Sequence, residues 1–176
     1  MVSHTTDLAV DFGRKVRNLI STEEYQTIFP TVQLASDSKS AGRWNTNSGG
    51  EYYACGIGSS IAGRGADLLL VDDPHSEQDV INGNFGVFEK AYEWFTYGAR
   101  TRLMPGGRVA IIQTRWHMDD LTGRVTKDMG QNEKADRYDV VEFPAILDII
   151  SKKTKKSEQK PLWPEFFDLE ALLRTK

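Results

Sequence analysis

Residues 63–74 read Gly-Arg-Gly-Ala-Asp-Leu-Leu-Leu-Val-Asp-Asp-Pro, an apolar run that leads directly into two acids. The unbroken apolar run from 68 to 71 predicts a strand of a parallel sheet that is buried on both faces. Asp72 and Asp73, called the acid pair below, follow this run, and Pro74 ends it. Because open α/β sheets bind ligands at the carboxyl ends of their strands, the acid pair is a candidate site. The alternative is an ordinary turn, since Asp and Pro are common turn residues.

The chemistry of the acid pair is typical of enzymes that act on phosphates. In such enzymes the first acid after the strand holds Mg²⁺, directly or through water, and the second orients or deprotonates the attacking water. A buried strand that ends in these acids is a Walker B pattern. The sequence therefore predicts a nucleotide site, and an ordinary turn is the alternative interpretation.

Composition limits the class of protein. The chain has 176 residues, of which 39% are hydrophobic and 27% charged, and this suits about one domain with its own core. A net charge of -3 does not by itself indicate a nucleic-acid binder. Cys55 is the single cysteine, so no internal disulfide forms, and its strand-like neighbours predict a packed thiol. With no signal peptide and no membrane-length apolar run, we expect a soluble intracellular protein.

The residues after the acid pair predict a βαβ unit. Residues 85–103 carry apolar side chains at helical spacing, and a Pro-Gly-Gly sequence is expected to end this helix. Residues 108–116 then predict a second buried strand. A right-handed crossover would make the two strands parallel neighbours and bring Gln113 and Thr114 to the edge that holds the acid pair. This convergence favours the nucleotide site over the turn.

Other elements are predicted on both sides of this unit. Near the amino terminus a helix is expected, capped by Ser3, Thr5 or Thr6, with one apolar face made of Leu8, Phe12, Val16 and Leu19. Strands are predicted at 51–57 and 138–144, and a helix that begins after Asp119-Asp120 is expected to close near Gly130. Residues 151–160 are rich in lysine and predict a mobile surface loop, with contact to a phosphate backbone as the alternative. Asp168 is expected to cap a closing helix.

The sequence lacks the signature of a phosphate-binding loop. Residues 56–65 are rich in glycine, but they lack the Gly-Lys-Ser/Thr ending whose lysine reaches the phosphates. No other part of the sequence supplies it. We therefore expect weak or absent ATP binding by this chain alone.

Four segments in order, residues 3–19, 63–75, 106–117 and 162–165, resemble the large terminase subunit of tailed bacteriophages. Members of that family are ATP-driven motors that pump DNA into a procapsid. They join an N-terminal ATPase domain to a C-terminal ribonuclease-H-like nuclease domain. The resemblance implies that residues 1–176 are part of the ATPase domain, with the Walker A segment upstream and the nuclease downstream. The implied fold is α/β, a three-layer sandwich with a mainly parallel central sheet, a P-loop NTPase core of the additional-strand (ASCE) type lacking its Walker A strand.

The resemblance also implies roles for the residues at the predicted sheet edge. Asp72 would coordinate Mg²⁺, and Asp73 would take the place of the catalytic carboxylate, where related motors usually carry Glu. Gln113 and Thr114 would form the sensor motif that responds to the γ-phosphate of ATP. Strand-end caps remain the alternative for these last two residues.

Two arginines receive roles from the same resemblance. Arg64 lies close to where related motors carry an arginine that reaches the ATP of a neighbouring subunit. Such an arginine neutralises charge on the transferring phosphoryl group. Its alternative is a loop arginine that pairs with Asp67 or solvent. Arg115 is expected either to contact the nucleotide or to link the sensor strand to neighbouring elements.

The implied cofactors are Mg²⁺ and ATP, and the implied partners belong to a packaging machine. They are double-stranded DNA, the portal protein, the small terminase subunit and further copies of the chain in a ring, in the host cell cytoplasm and without a membrane. No nuclease activity is expected of residues 1–176. Two alternatives stay open: a helicase-like ATPase, and a non-catalytic binding or assembly module on a degenerate NTPase scaffold.

Overall fold

The computed structural model describes residues 1–38, 40–150 and 157–174. The chain divides into two compact units, Met1–Asp136 and Arg137–Lys176. The acid pair and the predicted sensor residues all belong to the first unit. The assignment of both units to one ATPase domain stays a prediction. In the described ranges, none of the helices has the length and apolar character that would let it cross a membrane.

The first unit alternates strands and helices along the chain. Its elements are β1 (Val2–Ser3), α1 (Thr6–Ile20), α2 (Glu23–Ile28), β2 (Arg43–Asn45), β3 (Glu51–Tyr53), β4 (Cys55–Gly56), β5 (Ala66–Asp72), α3 (Glu77–Ile81), α4 (Gly86–Glu93), β6 (Leu103–Ile112) and α5 (Leu121–Gln131). A π-helical segment, Trp94–Ala99, and a 3₁₀ turn, Arg100–Arg102, connect α4 to β6.

A four-stranded parallel sheet forms the centre of this unit. Its strand order is β4-β1-β5-β6, and every neighbouring pair is parallel. The register places Ser3 of β1 beside Asp72 of β5, and Asp72 beside Ile112 of β6. The prediction of an α/β fold with a parallel sheet is confirmed, as is the βαβ unit that makes β5 and β6 neighbours.

Strand β5 is buried over only part of its length, so the expectation of burial on both faces is wrong for its first half. Leu69 and Val71 are buried, whereas Leu68 is 59% exposed. The two-residue strand β1 pairs with β5 only at Val71 and Asp72. Among the described residues, the beginning of β5 therefore pairs with a strand on the β6 side alone.

Helix α1 begins as predicted but buries a different face. Thr5 is its N-cap, and its hydroxyl accepts a hydrogen bond from the amide of Leu8 at 3.3 Å. Three of the four residues of the predicted apolar face are exposed: Leu8, Val16 and Leu19. The buried residues are Ala9, Gly13 and Ile20. A close approach to the sheet and to the β2–β3 hairpin selects small residues, and this requirement outweighs the spacing of the larger apolar side chains.

The start of strand β6 contains an irregularity where a helix end was expected. Ala66 pairs with Leu103, but Leu68 already pairs with Arg108, so residues 104–107 bulge out of the ladder. Gly106 has a φ of 82°, which a glycine adopts without strain. The Pro-Gly-Gly sequence therefore shapes a bulge inside the strand. The predicted helix 85–103 loses Leu103 to β6, and the predicted strand 108–116 ends at Ile112.

Two further strand predictions need correction. Residues 51–57 form two short strands in different sheets, because β3 pairs with β2 and β4 pairs with β1. In the second unit, residues 138–144 form no strand. That unit instead contains an antiparallel hairpin of β7 (Ile146–Ile150) and β8 (Ser157–Pro161), followed by α6 (Leu169–Arg174).

The lysine-rich segment was expected to be a loop, and part of it is a strand. Residues 157–160 belong to β8, while residues 151–156 lie outside the described residues. Strand β8 is almost wholly exposed. Its sequence therefore lacks the alternation of apolar and polar residues that predicts a half-buried strand. The cap of the last helix is confirmed, because Asp168 accepts a hydrogen bond from the amide of Ala171 at 2.8 Å.

Candidate functional site

The sheet brings the acid pair and the predicted sensor residues to one edge. Asp72 is the last residue of β5, and Gln113 directly follows β6. Asp73 ties these strand ends together: its amide donates to the carbonyl of Ile112 at 2.9 Å, and its carbonyl accepts from the amide of His4 at 3.0 Å. The ends of β1, β5 and β6 therefore meet around Asp73.

Asp73 holds an unusual backbone conformation. Its φ is 39°, the one positive value at a non-glycine position in the described part of the chain. Aspartate tolerates this left-handed region better than most residues. One carboxylate oxygen accepts a hydrogen bond from the amide of Thr114 at 2.9 Å. The second acid thus links the ends of the two adjacent strands, and its other oxygen remains available for a ligand.

The ionised form of Asp72 is disfavoured at this site. In the described residues its carboxylate makes neither a hydrogen bond nor an ion pair. Partial burial, and then the charge of Asp73, raise the pKa of the Asp72 carboxyl. Both causes penalise the ionised form, and a divalent cation placed at this carboxylate would offset them.

Gln113 lies at the same edge with its polar group unmatched. Both the nitrogen and the oxygen of its side-chain amide are buried, and neither has a hydrogen-bond partner among the described residues. An unpaired buried amide is costly, and native structures contain few such groups. The structure therefore places Gln113 where a ligand or another segment would have to satisfy it, and its sensor role stays a prediction.

Arg64 makes its contacts away from the acid pair. It precedes β5, whereas the acid pair lies at the end of that strand. Its guanidinium donates to Glu51 at 2.8 Å and stacks over the ring of Tyr53 at 3.7 Å from the centroid. Its ion-pair partner is therefore Glu51, not Asp67. This geometry separates Arg64 from Asp72 within one chain, and its action on a neighbouring subunit stays a prediction.

Arg115 connects the end of β6 to the start of α5. Its Nε donates at 2.8 Å to Asp120, a fully buried carboxylate. Asp120 also caps α5 by accepting from the amide of Gly123 at 2.9 Å, and it accepts from the amides of Trp116 and His117. The contact links the end of β6 to the start of α5, and contact of Arg115 with a nucleotide stays a prediction.

The sequence indicates a helix cap for Asp119-Asp120, and it favours a packing role for His75, which follows the acid pair and Pro74. His75 is buried, its Nε2 accepts from the amide of Leu121 at 3.1 Å, and its ring packs edge-on against Phe88. With His4 it also lines a cavity of about 240 Å³ at the ends of β1, β4 and β5. No spacing rule identifies such a histidine, because its partners come from α4 and α5.

The burial of His75 predicts acid sensitivity. Burial lowers its pKa, the charge of nearby His4 adds to this, and Asp120 and Asp79 oppose it. The unfolded chain therefore takes up a proton near the ordinary histidine pKa before the folded chain does. Stability should fall as the pH drops below about 6.5, by at most about 1.4 kcal/mol at about pH 5.5. Urea unfolding at about pH 7.5 and about pH 5.5 measures this loss.

The matched variant for this prediction is His75→Gln. It removes the titrating group while it keeps an oxygen that can accept from Leu121. Its stability should depend less on pH over the same interval, even if it is lower throughout. An equally steep dependence in the variant would show that another group causes the acid sensitivity.

Metal binding at this edge would depend on few protein ligands. Across residues 1–38, 40–150 and 157–174, no group of three or more His, Cys, Asp or Glu side chains is arranged to hold a metal ion. Mg²⁺ needs no such group, since it commonly binds through one or two carboxylates together with water and phosphate oxygens. The unpaired carboxylate of Asp72 and its raised pKa fit this mode of binding.

Comparison with known proteins returns no match, either among protein-family models or among curated proteins. The interpretation of the acid pair therefore depends on its own residues and geometry.

Proposed function

We propose that this chain contributes the Walker B and sensor part of an ATPase domain like that of phage terminase large subunits. The observation that carries the proposal is the contact between the acid pair and the adjacent strand. Asp73 follows the metal-binding candidate Asp72 and accepts a hydrogen bond from the amide of Thr114, just past the end of β6. A change at the end of either strand would therefore reach the other strand directly.

Asp72 and Asp73 have different environments, and the roles that we propose for them follow from this difference. The Asp72 carboxylate makes no hydrogen bond or ion pair with the described residues, so we assign the cation to this acid. Bound Mg²⁺ would neutralise charge on the β- and γ-phosphates of ATP. Asp73 is oriented by Thr114 through one oxygen, and its other oxygen would position the attacking water. Because Asp is one methylene shorter than Glu, the left-handed backbone at Asp73 would have to set the reach of this carboxylate.

The finer fold assignment is also a proposal. A P-loop core of the additional-strand type, in a three-layer α/β sandwich, needs a further strand with a phosphate loop next to the sensor strand. Strand β6 is the last strand in the sheet order, so its outer edge has no partner strand among the described residues. Ile112, at the carboxyl end of β6, is 57% exposed. This edge is a suitable place for the strand that carries the phosphate loop to pair.

The biological setting rests on the sequence resemblance. It comprises packaging of double-stranded DNA in the host cytoplasm, contacts with the portal protein and the small terminase subunit, and a ring of subunits. Arg64 supports the ring only indirectly: its guanidinium pairs with Glu51, with neither acid of the pair, and is partly exposed. We propose that it acts on the nucleotide of a neighbouring subunit.

Asp72→Asn is the decisive variant. We expect it to weaken binding of Mn²⁺, a spectroscopic substitute for Mg²⁺, by about tenfold or more, because it removes a carboxylate that no hydrogen bond or ion pair from the described residues engages. The same change removes an acid whose ionised form is disfavoured by partial burial and by the charge of Asp73, so the metal-free chain should gain about 0.5 kcal/mol after allowance for solvent screening. Calorimetric titration with Mn²⁺ and urea unfolding measure the two effects.

Asp67→Asn is the matched control, since Asp67 is an exposed acid on the same strand. It should leave Mn²⁺ affinity unchanged. Mg²⁺-ATP is expected to bind weakly to the wild type, through the metal, and not to Asp72→Asn. If wild type and Asp72→Asn bind Mn²⁺ equally, the acid pair is only a turn. The non-catalytic module would then be the better interpretation.

A further inference from the structure

Two unmatched polar groups lie side by side on neighbouring strands. Ser3 ends β1, Asp72 ends β5, and the two are register partners in the parallel ladder. The hydroxyl of Ser3 is buried and has no hydrogen-bond partner among the described residues. The carboxylate of Asp72 is likewise without a hydrogen bond or ion pair in this part of the chain. A hydroxyl that can donate thus stands beside a carboxylate that can accept.

The geometry of a parallel ladder brings these groups within reach of each other. Neighbouring strands lie about 4.8 Å apart, and side chains in register point to the same face of the sheet. Rotation about the single Cα–Cβ bond of Ser3 moves its oxygen among three staggered positions. A change of rotamer is therefore the movement that would turn the hydroxyl towards Asp72.

We propose that Ser3 is a positioning residue whose hydroxyl donates to the Asp72 carboxylate when that carboxylate holds a divalent cation. This inference rests on the function proposed above. Carboxylates that bind metals are usually hydrogen-bonded themselves, which orients the oxygen that faces the metal. Thr114 already orients Asp73 in this way, and Ser3, the register partner of Asp72 with an unpaired buried hydroxyl, is placed to do the same for Asp72.

The cost of the unmatched hydroxyl distinguishes this role from a structural one. Burying a hydroxyl without a partner is unfavourable, so an apolar residue would suit the metal-free sheet at least as well. Ser3 therefore adds nothing to the folded chain that alanine could not supply. The hydroxyl becomes useful only when Asp72 needs a donor.

The test compares Ser3→Ala with Thr122→Val by calorimetric titration with Mn²⁺ and by urea unfolding. Thr122 is a matched control, because its hydroxyl is also buried and unpaired but belongs to α5, outside the sheet. We expect Ser3→Ala to weaken Mn²⁺ binding about tenfold or more, with an unchanged or higher unfolding midpoint. Thr122→Val should change the midpoint in the same direction and leave Mn²⁺ affinity as it is.

Ser3→Thr and Ser3→Cys complete the test and cover a Ser3→Ala chain that fails to fold. Threonine keeps the hydroxyl and should bind Mn²⁺ like the wild type, whereas the weak thiol donor of cysteine should bind it less well. Unchanged Mn²⁺ affinity in Ser3→Ala and Ser3→Cys, while Asp72→Asn loses it, would overturn the role of Ser3 alone. Absence of Mn²⁺ binding in the wild type would overturn the proposed function as well.

Discussion

Replacing Asp120 by alanine is expected to lower the free energy of unfolding by about 3 kcal/mol. The carboxylate is fully buried and accepts four hydrogen bonds, one from the guanidinium of Arg115 and three from backbone amides. Loss of the helix cap contributes about 1 kcal/mol, and the unpaired amides at residues 116 and 117 contribute most of the rest. Because half of the Arg115 side chain is exposed, water will solvate its charge, and the full penalty of a stranded buried charge does not apply. Urea unfolding followed by circular dichroism gives the value.

Asp119→Ala is the control for Asp120→Ala. The two acids are adjacent in sequence, but the side chain of Asp119 is 45% exposed, and its carboxylate lies 3.9 Å from Nδ1 of His117, beyond hydrogen-bond distance. Its loss should change stability by about 0.5 kcal/mol or less. Similar losses in the two variants would mean that Asp120 does not hold together the segment between β6 and α5.

Gly13→Ala should be nearly as damaging, although alanine is the better helix former. A methyl group at this position would overlap the ring of Tyr52 and lie 2.6 Å from the carbonyl oxygen of Ala41. The same helical turn accepts a hydrogen bond from the indole of Trp44 at 3.1 Å, at the carbonyl of Gly13. Trp44 and Tyr52 stack on each other, so neither ring can move without loss of the other contact. We expect a net loss of about 3 kcal/mol, which exceeds the helix-propensity gain of about 1 kcal/mol.

Gly130→Ala isolates the propensity effect from the steric one. Gly130 lies in α5, and a methyl group there would meet no atom within 4 Å. This variant should gain about 0.5 kcal/mol. If Gly13→Ala were also stabilising, the β2–β3 hairpin would not pack against α1 as closely as the structure indicates. Thermal unfolding of both variants under one set of conditions decides between these results.

Features that depend on neighbouring residues could be predicted from the sequence. The apolar run of β5 and the acids after it lie within a few residues of one another, and so do the caps Thr5, Asp120 and Asp168 with their amides. Short-range chemistry of this kind is the same in any fold. The adjacency of β5 and β6 also followed, because a strand-helix-strand order permits few arrangements.

The sequence by itself thus determined a parallel α/β sheet and an acid pair at the carboxyl end of its central strand. Only the tertiary structure decided which face of α1 is buried. It also decided that Asp120 accepts hydrogen bonds from residues after β6, and that His75 is buried against α4 and α5. It also decided that Thr114 acts on Asp73 through its backbone amide, across 41 residues of chain. The physical reason is that these contacts join segments distant in sequence. Close packing of the assembled elements determines these contacts, and the spacing of residue types along the chain does not predict that packing.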